Sequence, residues 1–313
     1  MDEFDAIARL FRPLTGGAPE AADLLDDAAF VPARPGFDLV LTKDAIVEGV
    51  HFLPDDPPDL VARKLLRVNL SDLAAKAAEP FGYLLAVAWP ERWEGEDRAR
   101  FAAGLAEDQA EFGLVLLGGD TVSTPGPMTA SATLLGYAPE GRAIRRAGAR
   151  PGQGVFVSGP IGDGWLGLQA ARGELSGLPD AWVAQLATRY RLPSPRLDLR
   201  AALLEGASAC ADISDGLVAD LGHVARASGA GASLDLETVP LSAGATAWLD
   251  AQPDRREALV RLVTGGDDYQ LVFTAARPLP GANRIGTVTE GEGVRVRLEG
   301  DAVPISRAGW SHG

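Results

Sequence analysis

Aspartates recur along this chain at places where a carboxylate can take part in chemistry. They follow short apolar runs, stand in glycine-rich turns or precede predicted helices, so their side chains can converge. The set comprises Asp27, Asp44, Asp72, Asp120, Asp212, Asp215 and Asp267. Carboxylate oxygens without the His and Cys spacing of a zinc site are typical ligands of magnesium or calcium. The sequence therefore predicts divalent cations held by several carboxylates.

Such cations would let an acidic protein bind an anionic ligand. The net charge is −14, with 43 acidic against 29 basic residues, which excludes a nucleic-acid groove lined by Lys and Arg. The phosphate-binding Gly-Lys-Ser/Thr loop is absent, and the lysines are Lys43, Lys64 and Lys76. If the chain binds ATP, magnesium and arginine must hold the phosphates.

The clearest of these aspartates follows a buried strand. Four aliphatic residues at 114–117 precede Gly118, Gly119 and Asp120, and the two glycines predict a tight turn that presents Asp120 at the rim of a sheet. A plain turn, in which Asp120 caps the next segment, is the alternative. Gly-Gly-Asp recurs at 265–267.

Two polar residues share one face of the clearest predicted helix, over residues 60–78. Asn69 and Asp72 are three residues apart and interleaved with leucines, which favours a partly buried face looking into a cleft. A surface ion pair of Asp72 with Lys76 is the alternative. His51 follows the strand predicted from Asp38 to Asp44, and a structural histidine is its alternative.

Predicted strands and helices alternate over 313 residues, enough for two domains. Apolar spacing also predicts a helix over residues 2–11. The Gly-, Arg- and Pro-rich stretch 139–154 is the best boundary, giving domains 1–147 and 148–313. Arg146 lies there, either in a solvated linker or as a contact to a nucleotide phosphate. Ser214, between two aspartates before a predicted helix, is either a helix cap or a ligand contact.

The sequence predicts a cytoplasmic protein. Cys210 is the only cysteine, which fits a reducing compartment. The N-terminus is acidic where a secretion signal is basic, and no apolar run is long enough for a membrane span.

Five segments, in order along essentially the whole chain, resemble the thiamine-monophosphate kinase family. They are Thr42-Lys43-Asp44 with Glu48-Gly49-Val50-His51-Phe52, Asn69-Leu70-Ser71-Asp72-Leu73-Ala74-Ala75, Gly118-Gly119-Asp120-Thr121, Asp212-Ile213-Ser214-Asp215-Gly216-Leu217 and Gly265-Gly266-Asp267-Asp268-Tyr269. The resemblance implies an α/β (α+β) chain with the two-domain fold of aminoimidazole-ribonucleotide synthetase. In that fold the N-terminal sheet forms the interface of a homodimer, and a C-terminal α/β domain follows. It further implies transfer of the ATP γ-phosphoryl group to thiamine monophosphate, which gives thiamine diphosphate and ADP.

The same resemblance implies roles for individual residues. Several magnesium ions would be held by Asp27, Thr42, Lys43, Asp44, Asp72, Asp120, Asp212 and Asp215. Asp72, Asp120 and Asp212 would be the catalytic carboxylates, and ATP would be contacted by Gly119, Asp120, Arg146 and Ser214. Thiamine monophosphate would be contacted by His51, Asp267, Arg307 and Trp310.

The chain departs from the family pattern in three ways, at four positions. Lys43 stands where the family has Thr or Ser, so a metal contact there would have to use the main-chain carbonyl. Leu24 and Leu25 replace glycines before Asp26 and Asp27, and Asp267 replaces a Glu.

Other functions remain open from the sequence. The selenophosphate synthetase and hydrogenase-maturation relatives use a cysteine or selenocysteine that this chain lacks. An amidine-forming ATP ligase would turn over ATP and ignore thiamine monophosphate. A non-catalytic nucleotide- or calcium-binding protein would bind metal without turning over ATP.

Overall fold

A computed structural model describes Asp5 and residues 7–310, and it contains two compact units. The first comprises Met1–Leu73 and Ala78–Gly141, and the second Ala74–Ala77 and Arg142–Gly313. The chain thus passes between units after Gly141, at the start of the arginine-rich stretch, while the sequence predicts a boundary after residue 147. Of the helix predicted over residues 2–11, the structure describes Ile7–Phe11, which is π-helical; residues 1–4 and 6 lie outside the described residues.

The first unit is built on one mixed sheet and two long helices. Its elements are β1 (Phe37–Val47), α1 (Pro58–Ala75), β2 (Glu79–Pro90), α2 (Gly95–Phe112), β3 (Val115–Thr124) and β4 (Thr129–Pro139). The strand order is β1-β4-β2-β3, with β2 and β3 parallel and the other neighbours antiparallel. Strands β1 and β3 therefore form the two edges of this sheet.

The helices cover one face of this sheet. Trp89 of β2 packs edge-on against Phe101 of α2, with ring centroids 5.3 Å apart. Gly136 of β4 brings its backbone against the Leu73 side chain of α1, where a Cβ would lie 3.2 Å from the leucine. Because side chains alternate between the two faces of a strand, every second residue of β1 points toward these helices.

The opposite face of the sheet is open and carries several exposed apolar side chains. Four large apolar side chains, exposed by 42–60%, lie on it: Leu39, Leu41, Leu84 and Val122. Exposed apolar side chains gathered on one sheet face are typical of a protein interface.

The second unit contains the remaining elements. They are β5 (Gly154–Val157), α3 (Asp163–Ala171), α4 (Asp180–Arg191), α5 (Arg200–Gly206), β6 (Ala207–Asp212), α6 (Leu217–Ser228), β7 (Gly231–Asp235), α7 (Ala243–Asp250), α8 (Arg255–Thr264), β8 (Leu271–Ala275), β9 (Asn283–Thr289), β10 (Gly293–Leu298) and β11 (Asp301–Ala302). The described strands form one mixed sheet in the order β11-β10-β7-β9-β5-β8-β6.

Both faces of this second sheet are packed. In β5, Val155 and Val157 belong to one core cluster, whereas Phe156 points to the other face and stacks on Phe273 with centroids 5.6 Å apart. A continuous apolar run suits a strand that is buried on both sides. Cys210 is fully buried in the Phe156 cluster, and burial raises the pKa of its thiol to about 12. Among the described residues, no helix has the length and apolar character that a membrane span requires.

Candidate functional site

The first candidate site lies where β1 meets helix α1. The Thr42 hydroxyl donates a short hydrogen bond to the Asp72 carboxylate. The backbone N–H of Asp44 donates to Asn69 Oδ1 at 3.0 Å, while the Asn69 amide donates to the Leu65 carbonyl one turn back at 2.9 Å. Asn69 and Asp72 therefore share the α1 face that packs on β1. Oxygen atoms from both elements lie together there.

The carboxylates of this cluster oppose each other electrostatically. Burial, and then the charge of Asp72, raises the pKa of the Asp44 carboxyl to about 6. A divalent cation would offset both causes, because it supplies opposite charge to a desolvated pair of oxygen donors. The donor set therefore fits magnesium. The alternative partner that the sequence offered for Asp72 was Lys76. The Lys76 ammonium donates to the Cys210 carbonyl at 3.2 Å.

Two other predicted metal-site residues of this unit, Lys43 and Asp27, are exposed. The Lys43 side chain is exposed and lies on the face opposite to Asp44. Asp27 is exposed and follows a short 3-10 helix, Pro19–Leu24, that lies beside β3. Its N–H donates to Asp26 Oδ1 at 2.7 Å.

The prediction of a tight turn at Gly118 and Gly119 is wrong. Strand β3 continues through both glycines to Thr124, and Asp120 pairs with Ala86 in mid-strand. Gly119 is needed for close approach, since a Cβ there would lie 1.9 Å from the Leu85 carbonyl oxygen. The strand persists because parallel pairing with β2 satisfies its backbone.

Asp120 lies far from Asp44 within one chain. It is exposed on edge strand β3, and its register across β2 and β4 ends at Ala45 of the other edge strand. Three strand spacings of about 4.8 Å separate these edges, or about 14 Å along the sheet.

His51 is held in a turn after β1. Its Nδ1 accepts the Val47 N–H at 3.1 Å, and its carbonyl accepts from Lys64 Nζ at 2.8 Å. Because Nδ1 is an acceptor, the neutral ring carries its proton on Nε2.

The second candidate site is formed by two loops of the second unit. Asp212 ends β6 and is buried, and Ser214 and Asp215 follow it. The N–H of Asp267 donates to the Ser214 carbonyl, and that of Tyr269 donates to the Ile213 carbonyl, both at 2.8 Å. These bonds join two loops: residues 212–216, the metal loop, which carries predicted metal ligands, and residues 265–269, which carry the predicted substrate contact Asp267.

The loop of residues 265–269, predicted to contact the substrate, has an unusual backbone. Asp267 and Tyr269 have φ of +61° and +48°, a region that L-residues rarely adopt. The Tyr269 hydroxyl donates to Asp267 Oδ1 at 3.2 Å. Strain of this kind persists where neighbouring contacts hold the loop, as the bonds to the Ser214 and Ile213 carbonyls do here.

Sequence reasoning missed Asp220, one turn into helix α6. Its Oδ2 accepts the N–H groups of Ser214, Asp215 and Gly216, each at 3.1 Å. Burial, and then the charge of Asp215, raises the pKa of the Asp220 carboxyl to about 7. A carboxylate in the first turn after Gly216 is a signal that could have identified this contact.

Arg146 lies within electrostatic reach of the same loop. Its charge acts on both Asp220 and His223, and burial, then Arg146, lowers the pKa of His223. Among the described residues, Asp215, Asp220 and His223 offer ligand atoms within 4.8 Å of one another. The basic Arg146 and the acidic Asp220 thus both lie near the loop that carries Ser214.

The predicted C-terminal contacts also reach this loop. The N–H of Trp310 donates to the Asp215 carbonyl at 2.9 Å, and the Arg307 guanidinium lies 5.6 Å from the Trp310 ring centroid. The indole itself is exposed by 54%. A cationic ligand could therefore still contact it.

Asp268, which follows Asp267, holds the turn before α3, a role that the sequence analysis did not predict. It accepts the N–H groups of Gly162 and Gly164 at 2.9–3.0 Å, which orders the turn that begins α3. Burial is the main cause that raises the pKa of its carboxyl to about 8. A small pocket beside it is lined by Asp163, Arg189 and Asp267, among others.

Comparison with known proteins shows the family of this chain. Residues 25–138 match the N-terminal domain of AIR synthase related proteins, and residues 150–299 match the C-terminal domain. The thiamine-monophosphate kinase of Caulobacter vibrioides is 56% identical over 323 residues, covering 99% of this chain and 91% of that protein.

Solved structures agree in fold. The crystal structure of thiamine-monophosphate kinase from Stenotrophomonas maltophilia K279a has a TM-score of 0.82 and 34% identity, covering 97% of this chain and 98% of that one. AaThiL complexed with AMPPCP and TMP has a TM-score of 0.81 and 32% identity, covering 90% and 89%. This chain therefore belongs to the thiamine-monophosphate kinase family of AIR synthase related proteins.

Proposed function

We propose that this chain transfers the γ-phosphoryl group of ATP to the phosphate of thiamine monophosphate, giving thiamine diphosphate and ADP. The observation that carries the proposal is the packing of the Asp44 and Asp72 carboxylates at β1 and α1, in a chain 56% identical to a thiamine-monophosphate kinase. AaThiL, with a similar fold, was solved with AMPPCP and TMP.

The acceptor needs no strong general base. A phosphate monoester with a second pKa near 6 is largely ionised at neutral pH. The obstacle is repulsion between two anions in a protein of net charge −14. When bound, magnesium would neutralise the phosphates and stabilise charge on the transferring group.

The chain's own residues would hold and align these groups. In the first unit, magnesium ligands would come from Asp27, Thr42, Asp44, Asp72 and Asp120, with Lys43 restricted to its main-chain carbonyl. In the second unit, Asp212 and Asp215 would hold magnesium. ATP would be contacted by Gly119, Arg146 and Ser214. Asp72, Asp120 and Asp212 are the carboxylates on which transfer would depend most.

Thiamine monophosphate would be bound by His51, Asp267, Arg307 and Trp310. His51 Nε2–H is a donor suited to a phosphate oxygen. Asp267 is held toward the Ser214 loop by its own N–H, which supports its role despite the shorter side chain. The exposed Trp310 ring suits a cationic thiazolium.

A homodimer would cover the open sheet face of the first unit. The side chains of Leu39, Leu41, Leu84 and Val122 supply the apolar contact. Because Asp120 stands on the edge opposite to Asp44, Asp120 of the partner subunit is proposed to complete the magnesium site.

We place the enzyme in the cytoplasm, since its single cysteine is a buried free thiol.

A coupled assay with ATP, magnesium and thiamine monophosphate tests the activity. We expect thiamine diphosphate and ADP in equal amounts, with loss of both products in Asp120→Asn while the Tm stays near that of the wild type. ATP hydrolysis without thiamine diphosphate would contradict the proposal and favour an ATP ligase.

Subunit mixing tests the shared site. Asp44→Asn and Asp120→Asn should each be inactive, whereas mixed dimers contain one site with both native carboxylates. After equal mixing by unfolding and refolding, about one quarter of the wild-type activity should return, because half of the dimers are mixed. No recovery, with dimers confirmed by light scattering, would show that both carboxylates act from one chain.

A further inference from the structure

Three successive backbone N–H groups of the metal loop converge on one buried oxygen. Asp220 Oδ2 accepts from Ser214, Asp215 and Gly216, each at 3.1 Å, and the Asp220 residue is 1% exposed. The first N–H groups of a helix and of the loop before it lack partners within the helix. Asp220 supplies that partner from inside α6.

Backbone hydrogen bonds hold the other side of the loop. The Ser214 carbonyl accepts from Asp267, and the Asp215 carbonyl accepts from Trp310 at 2.9 Å. Gly216, with φ of +129°, lies against Thr264, where a Cβ would lie 3.0 Å from the Thr264 carbonyl carbon. The N–H groups of the loop therefore depend on Asp220 for their direction.

The loop geometry matters because side chains there act at fixed positions. Ser214 and Asp215 are the proposed contacts to ATP and magnesium. A catalytic or binding group must be held to a fraction of an ångström, and hydrogen bonds from a buried partner provide that restraint.

A direct ligand role is the rival explanation. Asp220, Asp215 and His223 have ligand atoms within 4.8 Å of one another. However, three N–H groups already donate to Oδ2, so a metal ion would have to use the other carboxylate oxygen of Asp220.

We infer that Asp220 is the positioning residue of the Ser214–Asp215 loop, and that it acts through its oxygen as an acceptor and not through its charge or through metal coordination. The inference rests on the proposed function for the roles of Ser214 and Asp215. It predicts that the geometry of the acceptor matters for nucleotide binding and that the negative charge does not.

Two substitutions separate these properties. Asp220→Asn keeps an oxygen at the same distance from the backbone and removes the charge. Asp220→Glu keeps the charge and displaces the oxygen by one methylene. Asp254→Ala is the matched control, because Asp254 also accepts a backbone N–H at a helix start, from Glu257 at 2.9 Å, but at the far end of α8.

Each variant is measured by its Tm, by steady-state kinetics and by calorimetric titration with AMPPCP and magnesium. We expect Asp220→Asn to keep kcat/KM for ATP within about threefold of the wild type. Asp220→Glu should raise KM for ATP and Kd for AMPPCP at least about tenfold and change KM for thiamine monophosphate less than about threefold. Asp254→Ala should lower Tm and leave the kinetics unchanged.

The opposite pattern would overturn the inference. If Asp220→Asn lost binding and Asp220→Glu kept it, Asp220 would act through charge, as a metal ligand with Asp215 and His223. If both variants bound AMPPCP as the wild type does, the loop would not need this anchor. The AMPPCP titration gives this answer even if the wild type proved inactive with thiamine monophosphate, so the two proposals fail separately.

Discussion

Trp310 and Asp215 are joined through their backbones: the Trp310 N–H donates to the Asp215 carbonyl at 2.9 Å. Gly309 makes this approach possible, since a Cβ there would lie 2.5 Å from that carbonyl oxygen and 2.7 Å from the Ala219 Cβ. The C-terminal segment therefore lies on the loop only because residue 309 has no side chain.

We accordingly expect Gly309→Ala to displace Trp310. KM for thiamine monophosphate should rise about tenfold, the loss of roughly one cation–π contact, with little change in KM for ATP. Gly222→Ala is the control, because a Cβ there meets only Val294 at 3.8 Å. Steady-state kinetics with each substrate varied in turn check this, and an unchanged KM would remove Trp310 from the substrate site.

His51→Asn should separate the turn from the substrate contact. An Asn oxygen can still accept the Val47 N–H that His51 Nδ1 accepts at 3.1 Å, but the Nε2–H donor is lost. KM for thiamine monophosphate should rise about tenfold at unchanged KM for ATP, as expected for one hydrogen bond to a charged group. A change in KM for ATP alone would contradict the assignment.

Magnesium binding should depend on the protonation of Asp44. Burial and the charge of Asp72 raise the pKa of this carboxyl to about 6, so at pH 5 most of it is protonated. Its proton must dissociate before the carboxylate oxygen can bind the metal. Apparent affinity should therefore fall as pH drops from 7 to 5, approaching about tenfold per unit below the pKa. Calorimetry in buffers of different ionisation enthalpy counts the released protons.

The control for that experiment is Asp55→Asn, a substitution of an exposed carboxylate that should leave the pH dependence as it is. Affinity that stayed constant between pH 5 and pH 7, with no proton release at pH 5, would show that Asp44 is not a ligand of the titrated metal.

Asp268 should make the protein less stable as pH rises. Its pKa is about 8 in the folded chain and 3.8 ordinarily, so between these values the folded state holds a proton that the unfolded state has lost. The free energy of unfolding must then fall from about pH 4 to about pH 8 and level off above it. Its cause is burial of a carboxyl that is costly to ionise.

Asp268→Asn removes this titration and can still accept from Gly162 and Gly164. Relative to the wild type, its free energy of unfolding should improve steadily from pH 5 to pH 8, measured by urea denaturation without metal. Asp250→Asn, which alters an exposed partner of Arg255, should show a constant difference. A constant difference for Asp268→Asn would mean that this carboxyl is already ionised at pH 5.

Much of the site can be predicted from local sequence. Asn69 and Asp72 share a helix face because three residues make nearly one turn, and in the structure both contact β1. The acidic composition and the absence of a P-loop also follow from residue types alone. The two Gly-Gly-Asp segments show the limit of such patterns. The first continues a strand, and the second enters a left-handed loop at Asp267.

The family, the α/β class and many of the strands and helices could be inferred from residue types and spacing. Three features became visible only in the folded chain: Asp120 stands on the edge opposite to Asp44, Lys43 faces away from Asp44, and Asp220 holds the Ser214 loop. The physical reason is that residue type and local period set which groups are available and which face of an element they share. Their neighbours depend on long-range strand order and on which buried backbone groups still need a partner.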